Sequence, residues 1–151
     1  GKYWVAGEYS YRAEHCATDG LVLIGYAFSF LDPVFSSGVY LALTSGAMGA
    51  DAVAAALENK DTRAEQFLPY GERLCKGIEW MRKLVYAFYD ENFSFKDVVM
   101  KYEEVQHSLT DCLIGDLIDH DYTELFERVS EFAELPEDLP HGKSVASGVG
   151  V

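Results

Sequence analysis

The residues with the most chemistry in them run from Gly25 to Gly38, Gly-Tyr-Ala-Phe-Ser-Phe-Leu-Asp-Pro-Val-Phe-Ser-Ser-Gly. They follow an apolar run, Leu21-Val22-Leu23-Ile24, and lead into a stretch of helical composition. In open α/β sheets ligands bind just beyond the carboxyl ends of strands, and a helix N-terminus offers unpaired N–H groups with a partial positive charge. Ser36, Ser37, Gly38 and Val39 are the residues whose amides would stand at such an end. Gly38 has no side chain to keep a ligand from the backbone. Pro33 stiffens the approach, and Asp32 or Ser36 is the candidate helix cap. The chemistry this implies is the holding of an anion or an electron-rich group by main-chain donors. An ordinary loop with a capped helix behind it uses the same residue types, so the residues alone leave both readings open.

Such a loop needs a strand before it and a helix after it. Tyr9-Ser10-Tyr11-Arg12-Ala13 alternates with the period of a half-buried strand, Tyr3-Trp4-Val5 suggests another, and Thr18-Asp19-Gly20 is a turn signal. The continuous apolar run Leu21–Ile24 predicts a strand covered on both faces and stopped by Gly25. A strand of that kind needs hydrogen-bonded neighbours on both sides, because unpaired buried backbone groups are costly. No other segment reads as a strand of similar quality. The expectation is therefore a C-terminal piece of a longer protein, with most of the sheet elsewhere.

Everything after residue 36 reads as helix. Gly38, Ala42, Ser45, Gly46, Gly49, Ala50 and Ala54 keep one helix face nearly flat, so that it can lie close on a sheet or another backbone. Thr62-x-x-Glu65 reads as a capping box for a helix with Phe67, Leu74, Ile78, Met81, Val85 and Phe88 on one face and Pro69 near its start. Ser94 is a further cap, Tyr102, Val105 and Leu109 continue that helix, Gly115 marks a break, and Asp121 caps a last helix ended by Pro136 and Pro140. The predicted fold class is α+β and mostly α-helical, with short N-terminal strands and one buried strand leading through a loop into a bundle of helices, a fragment of a larger α/β fold. The expected divisions are 1–58, carrying the loop and the small-residue helix, a helical region at 59–138, and a flexible tail at 139–151.

Composition narrows the function classes. The 151 residues hold 12 Lys+Arg against 25 Asp+Glu, a net charge of −13, which opposes binding to phosphate backbones. A hydrophobic content of 49% excludes general disorder. No stretch approaches the roughly 20 apolar residues of a membrane span, and the N-terminus lacks a signal pattern, so the expectation is a cytoplasmic protein without a membrane. Cys16, Cys75 and Cys112, like His15, His107, His120 and His141, lack metal-ligand spacing, and Asp116, Asp119 and Asp121 read as helix-capping residues rather than a calcium loop. Residues 90–138 carry 3 basic and 15 acidic side chains, a solvated helical face or an acidic docking surface.

Phe30-x-x-Pro33-x-x-Ser36-x-Gly38 resembles the motif of flavin-dependent halogenases, and Leu23-Ile24-Gly25-x-Ala27 resembles the second FAD fingerprint of the wider p-hydroxybenzoate-hydroxylase-type flavoproteins. The similarity runs upstream through Tyr9–Arg12 and downstream through the small-residue helix, with weaker echoes at Phe88-Tyr89 and Leu113–Asp116. The resemblance implies FAD and chloride as cofactors. It places Gly25, Tyr26 and Ala27 along the pyrophosphate and ribityl chain, Pro33, Ser36, Ser37, Gly38 and Val39 against the flavin ring, and chloride at the Ser37 and Gly38 amides. Where the family has a ribityl-binding aspartate, this chain has Tyr26. Phe35 stands where tryptophan-type halogenases have a glutamate, which points to the phenol or pyrrole branch.

In such enzymes chloride is oxidised at a flavin hydroperoxide and a lysine delivers the hypohalous acid to an electron-rich aromatic substrate. The implied partners are a small aromatic substrate, a flavin reductase and an N-terminal FAD-binding portion. That lysine and a Gly-x-Gly-x-x-Gly dinucleotide turn do not occur here, so no catalytic residue is assigned and the fragment alone is expected to be inactive. Alternatives are a related flavin monooxygenase or prenyl reductase without halide chemistry, or an acidic helical interaction module. Phe88, Tyr89, Phe93 and Phe95 read as packing or as the border of an aromatic substrate pocket.

Overall fold

Asp19 and Gly20 turn the chain back on itself, Gly20 at a φ of +75 that suits glycine. In this computed structural model, which describes residues 10–140, the turn joins β2 (Ala17–Thr18) to β3 (Leu21–Val22) as an antiparallel hairpin with Ala17 opposite Val22. A second ribbon pairs β1 (Tyr11–Arg12) with β4 (Ser29–Phe30), Tyr11 opposite Phe30. The strand expected at Tyr3-Trp4-Val5 and the tail from residue 141 lie outside the described residues.

The mostly helical α+β class holds, but the buried strand does not. The β3 strand is two residues long and pairs with β2 alone among the described residues, while Leu21 and Ile24 are 54% and 44% exposed. A tight hairpin leaves room for only two residue pairs before Leu23 and Ile24 turn away towards Gly25. An apolar run marks burial against something, and it does not by itself distinguish a long strand from a short one with apolar flanks.

Helix α1 (Gly38–Glu58) lies on the strand–loop region through its small residues. A Cβ on Gly49 would come within 2.8 Å of Ile24 Cγ2, so this close approach requires glycine. By length and composition α1 is apolar enough to cross a membrane, contrary to the sequence reading. Its apolarity comes largely from alanine and glycine rather than from long aliphatic side chains.

Helix α2 (Leu68–Tyr89) is the hub of the core. It has Pro69 in its first turn, where a missing N–H costs nothing, and Leu74, Ile78, Met81, Leu84 and Ala87 sealed from solvent. The expected Thr62 capping box does not form. One short 3-10 turn, Ala64–Phe67, precedes α2, and the Ala64 N–H donates to Asp19 Oδ1 at 2.9 Å. Asp61 takes the capping role at Arg63 N, and hydrogen bonds from Arg63 hold its carboxyl down at about 2.

The helix expected to run on from Ser94 breaks at Tyr102. Ser94 caps α3 (Phe95–Lys101), and Tyr102 leaves helical geometry with its hydroxyl 2.6 Å from Glu131 Oε2 before α4 (Gln106–Ile114) begins. Gly115, at a φ of +94, ends α4, and Asp121 accepts from Thr123 N at the start of α5 (Thr123–Val129).

One buried ionic cluster spans the fold. Glu79 lies between Arg12 of β1, at 3.2 Å, and Arg82 of α2, at 2.6 Å. The C-terminal segment is tied to it: Leu139 N donates to Glu79, Arg12 to the Pro140 carbonyl and Arg82 to the Glu137 carbonyl. Leu139 and Pro140, expected within the loose tail, are thus bound to the body of the fold.

The three cysteines are free thiols in the core. Burial raises Cys16, lifts Cys75 to about 11 and Cys112 to about 12. Only the thiolate reacts, so a thiol reagent at pH 8 is expected to label these cysteines about a hundredfold more slowly in the native protein than in urea. Rapid labelling of any of them without denaturant contradicts this packing.

Candidate functional site

The loop between β3 and α1 is shaped by its own short-range bonds. Gly25 adopts a φ of +54, and its N–H donates to Ser45 Oγ at 2.8 Å, a fully buried hydroxyl that itself donates to the Ala42 carbonyl. Tyr70, its hydroxyl kept protonated by burial, donates to the Leu23 carbonyl at 2.7 Å and fixes the exit from β3. The Ala27 N–H bonds to the Ile24 carbonyl and the Phe28 N–H to the Gly25 carbonyl. The amides of Gly25 and Ala27, residues that the resemblance sets along the pyrophosphate and ribityl chain, are therefore bonded inside the fold.

Pro33, Val34 and Phe35 form a single 3-10 turn. Asp32 caps this turn, accepting from Val34 N at 3.0 Å and from Tyr89 Oη at 3.1 Å, while its own N–H donates to Ser10 Oγ. Asp32 therefore caps the turn and not α1. Ser36 is not a cap either: its N–H closes the turn onto Pro33 O and it sits in the left-handed region at φ 54, which strains a residue with a Cβ. That reversal swings the chain so that Ser37 becomes the N-cap of α1, with no hydrogen bond from its side chain.

At Ser37, Gly38 and Val39 no acceptor among the described residues meets the N–H groups; the first helical bond in place is Leu41 N to Ser37 O. Ser37 is 6% exposed, and its hydroxyl likewise has no hydrogen-bond partner among the described residues. Tyr26 arches over this end. A Cβ on Gly38 would fall 2.2 Å from Tyr26 Oη, so the glycine is needed here to admit the phenol rather than to leave open space. The Tyr26 ring meets Phe30 edge-on at 5.1 Å, and Tyr11 donates to the Tyr26 carbonyl at 2.5 Å.

Behind the turn stands an aromatic wall. Phe35 meets Phe88 at 5.5 Å and Phe95 at 6.4 Å, both edge-on, and Phe93 meets Phe95 at 4.7 Å. The structure thus brings Tyr26, Pro33, Ser36, Ser37, Gly38 and Val39 to one place and joins the Phe88–Phe95 stripe to it through Phe35. Sequence reasoning missed Ser45, Tyr70 and Tyr89 as the side chains that hold the loop. Ser45 reads in the sequence as one of the small residues of α1, and its hydroxyl is the signal that sets it apart.

The donor set at the start of α1 contains N–H and O–H groups, and Asp32, the loop's carboxylate, is occupied by the turn. Such a set fits a halide or the acceptor edge of a flavin ring. It does not by itself fit the whole of FAD, whose pyrophosphate would find the Gly25 and Ala27 amides already used.

No protein-family model matches the chain. It is 29% identical over 133 residues to a 1H-pyrrole-2-carbonyl-[peptidyl-carrier protein] chlorinase of Pseudomonas fluorescens, covering 88% of this chain and 29% of that protein. It is 45% identical over 65 residues to the flavin-dependent halogenase armH1 of Armillaria mellea, covering 43% of this chain and 12% of the halogenase. Among solved structures it superposes on the flavin-dependent brominase Bmp2 with a TM-score of 0.69 and 29% identity, over 81% of this chain and 31% of the brominase. The chain thus spans less than a third of the length of each of these proteins. Strand–loop–helix, donor-only helix start and relatives agree: over the matched residues this chain is part of a halogenase-like flavoprotein.

Proposed function

We propose that the chain supplies one wall of the flavin and halide site of a larger FAD-dependent halogenase acting on an electron-rich aromatic of the phenol or pyrrole type. The observation that carries the reading is the run of unpaired N–H groups at Ser37, Gly38 and Val39, presented by a turn that Asp32 and Pro33 hold in shape. Bound FAD supplies the oxidising chemistry, with oxygen. The residues here hold and orient: the Ser37 and Gly38 amides fix the halide, Tyr26, Ser36 and Val39 border the flavin edge, and Pro33 keeps the approach stiff. Phe35 presents no carboxylate, in keeping with the phenol or pyrrole branch, and the chlorinase relative named for a carrier-bound pyrrole supports a substrate of that class.

In this reading residues 1–58 complete the FAD and substrate domain and 59–138 form a helical region beside it. The Gly-x-Gly-x-x-Gly turn and the halogen-transferring lysine come from the rest of the protein, and reduced flavin comes from a separate reductase. The test is to purify the longer protein that contains this chain. It should be yellow or bind added FAD, and crystals soaked in bromide should show an anomalous peak beside Ser37 and Gly38. A colourless protein that binds no FAD refutes the proposal; bound FAD without the bromide peak shifts the reading to a flavin enzyme lacking halide chemistry.

A further inference from the structure

Ser10, Tyr11 and Arg12 reach from one short stretch of chain to separate parts of the molecule. Ser10 Oγ accepts from the Asp32 N–H at 2.9 Å, Tyr11 donates to the Tyr26 carbonyl, and Arg12 donates to Glu79 and to the Pro140 carbonyl. The first two bonds hold the loop between β3 and α1. The last two reach the ionic cluster and the C-terminal segment. A ribbon of two residue pairs is not stable by itself, so β1 owes its place on β4 to these ties.

Residues 135–140 cross α2 without a helix or strand of their own. Side chains of α2 hold them: Arg82 donates to the Glu137 carbonyl, Glu79 accepts from Leu139 N at 3.3 Å, and Lys83 pairs with Asp138 at 2.7 Å. Burial adds little. Leu139 is 41% exposed and borders a cavity of about 180 Å³ that Tyr11, Arg12, Ile78 and Arg82 also line. A segment fixed by a few polar bonds over incomplete packing leaves and returns as a unit, at a cost set by those bonds. When it leaves, Arg12 loses the Pro140 carbonyl and its pair with Glu79 meets water, where an ion pair is worth little.

We infer that residues 135–140 are a releasable strap that acts through Arg12 and β1 as a latch on the loop at 25–38. Docked, the strap keeps Asp32 and Tyr26 in place. Released, it loosens Ser10 and Tyr11 and, with them, both ends of the loop. The coupling belongs to this chain's own packing and holds whatever the loop binds.

The experiment uses the longer protein that contains this chain, without added ligand. Leu139→Pro removes the N–H that Glu79 accepts, and Asp138→Lys sets like charge against Lys83; both positions are exposed. Release of the strap is read as cleavage after Glu137 by a glutamate-specific protease. Loop motion is read as hydrogen exchange in peptides covering Asp32 and Ala13, whose N–H donates to the Phe28 carbonyl. In each variant cleavage and exchange at Ala13 and Asp32 should both be about tenfold faster than in the wild type, with exchange along 74–84 of α2 unchanged. Faster cleavage with wild-type exchange at Ala13 and Asp32 overturns the latch. Wild-type cleavage in both variants overturns it too, since these bonds would then not hold the strap. Faster exchange throughout α2 in both variants does the same, because the segment would then support the whole fold rather than the loop.

Discussion

Glu79→Ala is expected to lose about 3–5 kcal/mol of stability, enough to unfold a marginal domain. Its carboxylate is 4% exposed and is the shared partner of two guanidinium groups, Arg12 at 6% and Arg82 at 11%. Removing it leaves two positive charges in the interior with no anion between them, and desolvated charge without a partner is the costly case. The effect extends beyond α2, because Arg12 belongs to β1, which pairs with β4 immediately before the Pro33 turn, and because Leu139 donates to the same carboxylate. Urea unfolding followed by tryptophan fluorescence measures the loss, Trp80 being the next residue along α2. Replacing the whole cluster, with Arg12→Met, Glu79→Leu and Arg82→Met together, is expected to be far milder than Glu79→Ala alone, since a buried ion pair contributes little net stability over apolar packing. A single Glu79→Ala variant within about 1 kcal/mol of wild type would falsify the buried-cluster account.

A charge on the outer face of α1 should separate the chain alone from the protein it serves. Leu43 is 70% exposed, as are Val39 at 72% and Leu57 at 62%, an apolar face of the kind that marks a binding surface. In the 151-residue chain Leu43→Asp touches little and is expected to shift stability by no more than about 0.5 kcal/mol. In the longer flavoprotein, where residues 1–58 are proposed to complete the FAD domain, we expect this exposed face of α1 to be covered by the rest of that domain, so that the same substitution buries an unpaired carboxylate. It should cost several kcal/mol there and release most of the FAD on gel filtration. Thermal melts of both proteins and the flavin absorbance of the longer one decide the matter. Equal, small effects in both would mean that the face stays in water.

What could be read in the chain beforehand was whatever acts within a few residues. Ser94 and Asp121 cap because a short oxygen-bearing side chain reaches an N–H two or three positions on, and Gly115 ends α4 because a left-handed residue does so locally. The loop motif was legible for the same reason, as a set of neighbours. Even so, neither Asp32 nor Ser36 caps α1, since the proline-led 3-10 turn takes the Asp32 side chain at Val34 N and holds Ser36 at its own end.

The primary structure by itself determined the helical class, the acidic balance and the position of the donor-bearing turn, all properties of short windows and composition. The tertiary structure decided which of those donors stay unpaired. Ser45 reaches Gly25 across 20 residues, Arg12 meets Glu79 across 67, and Tyr26 leans on Gly38 because Phe30 and Tyr11 hold it there. Pairings at that range are set by how packed elements bring distant positions together, and no local pattern encodes them.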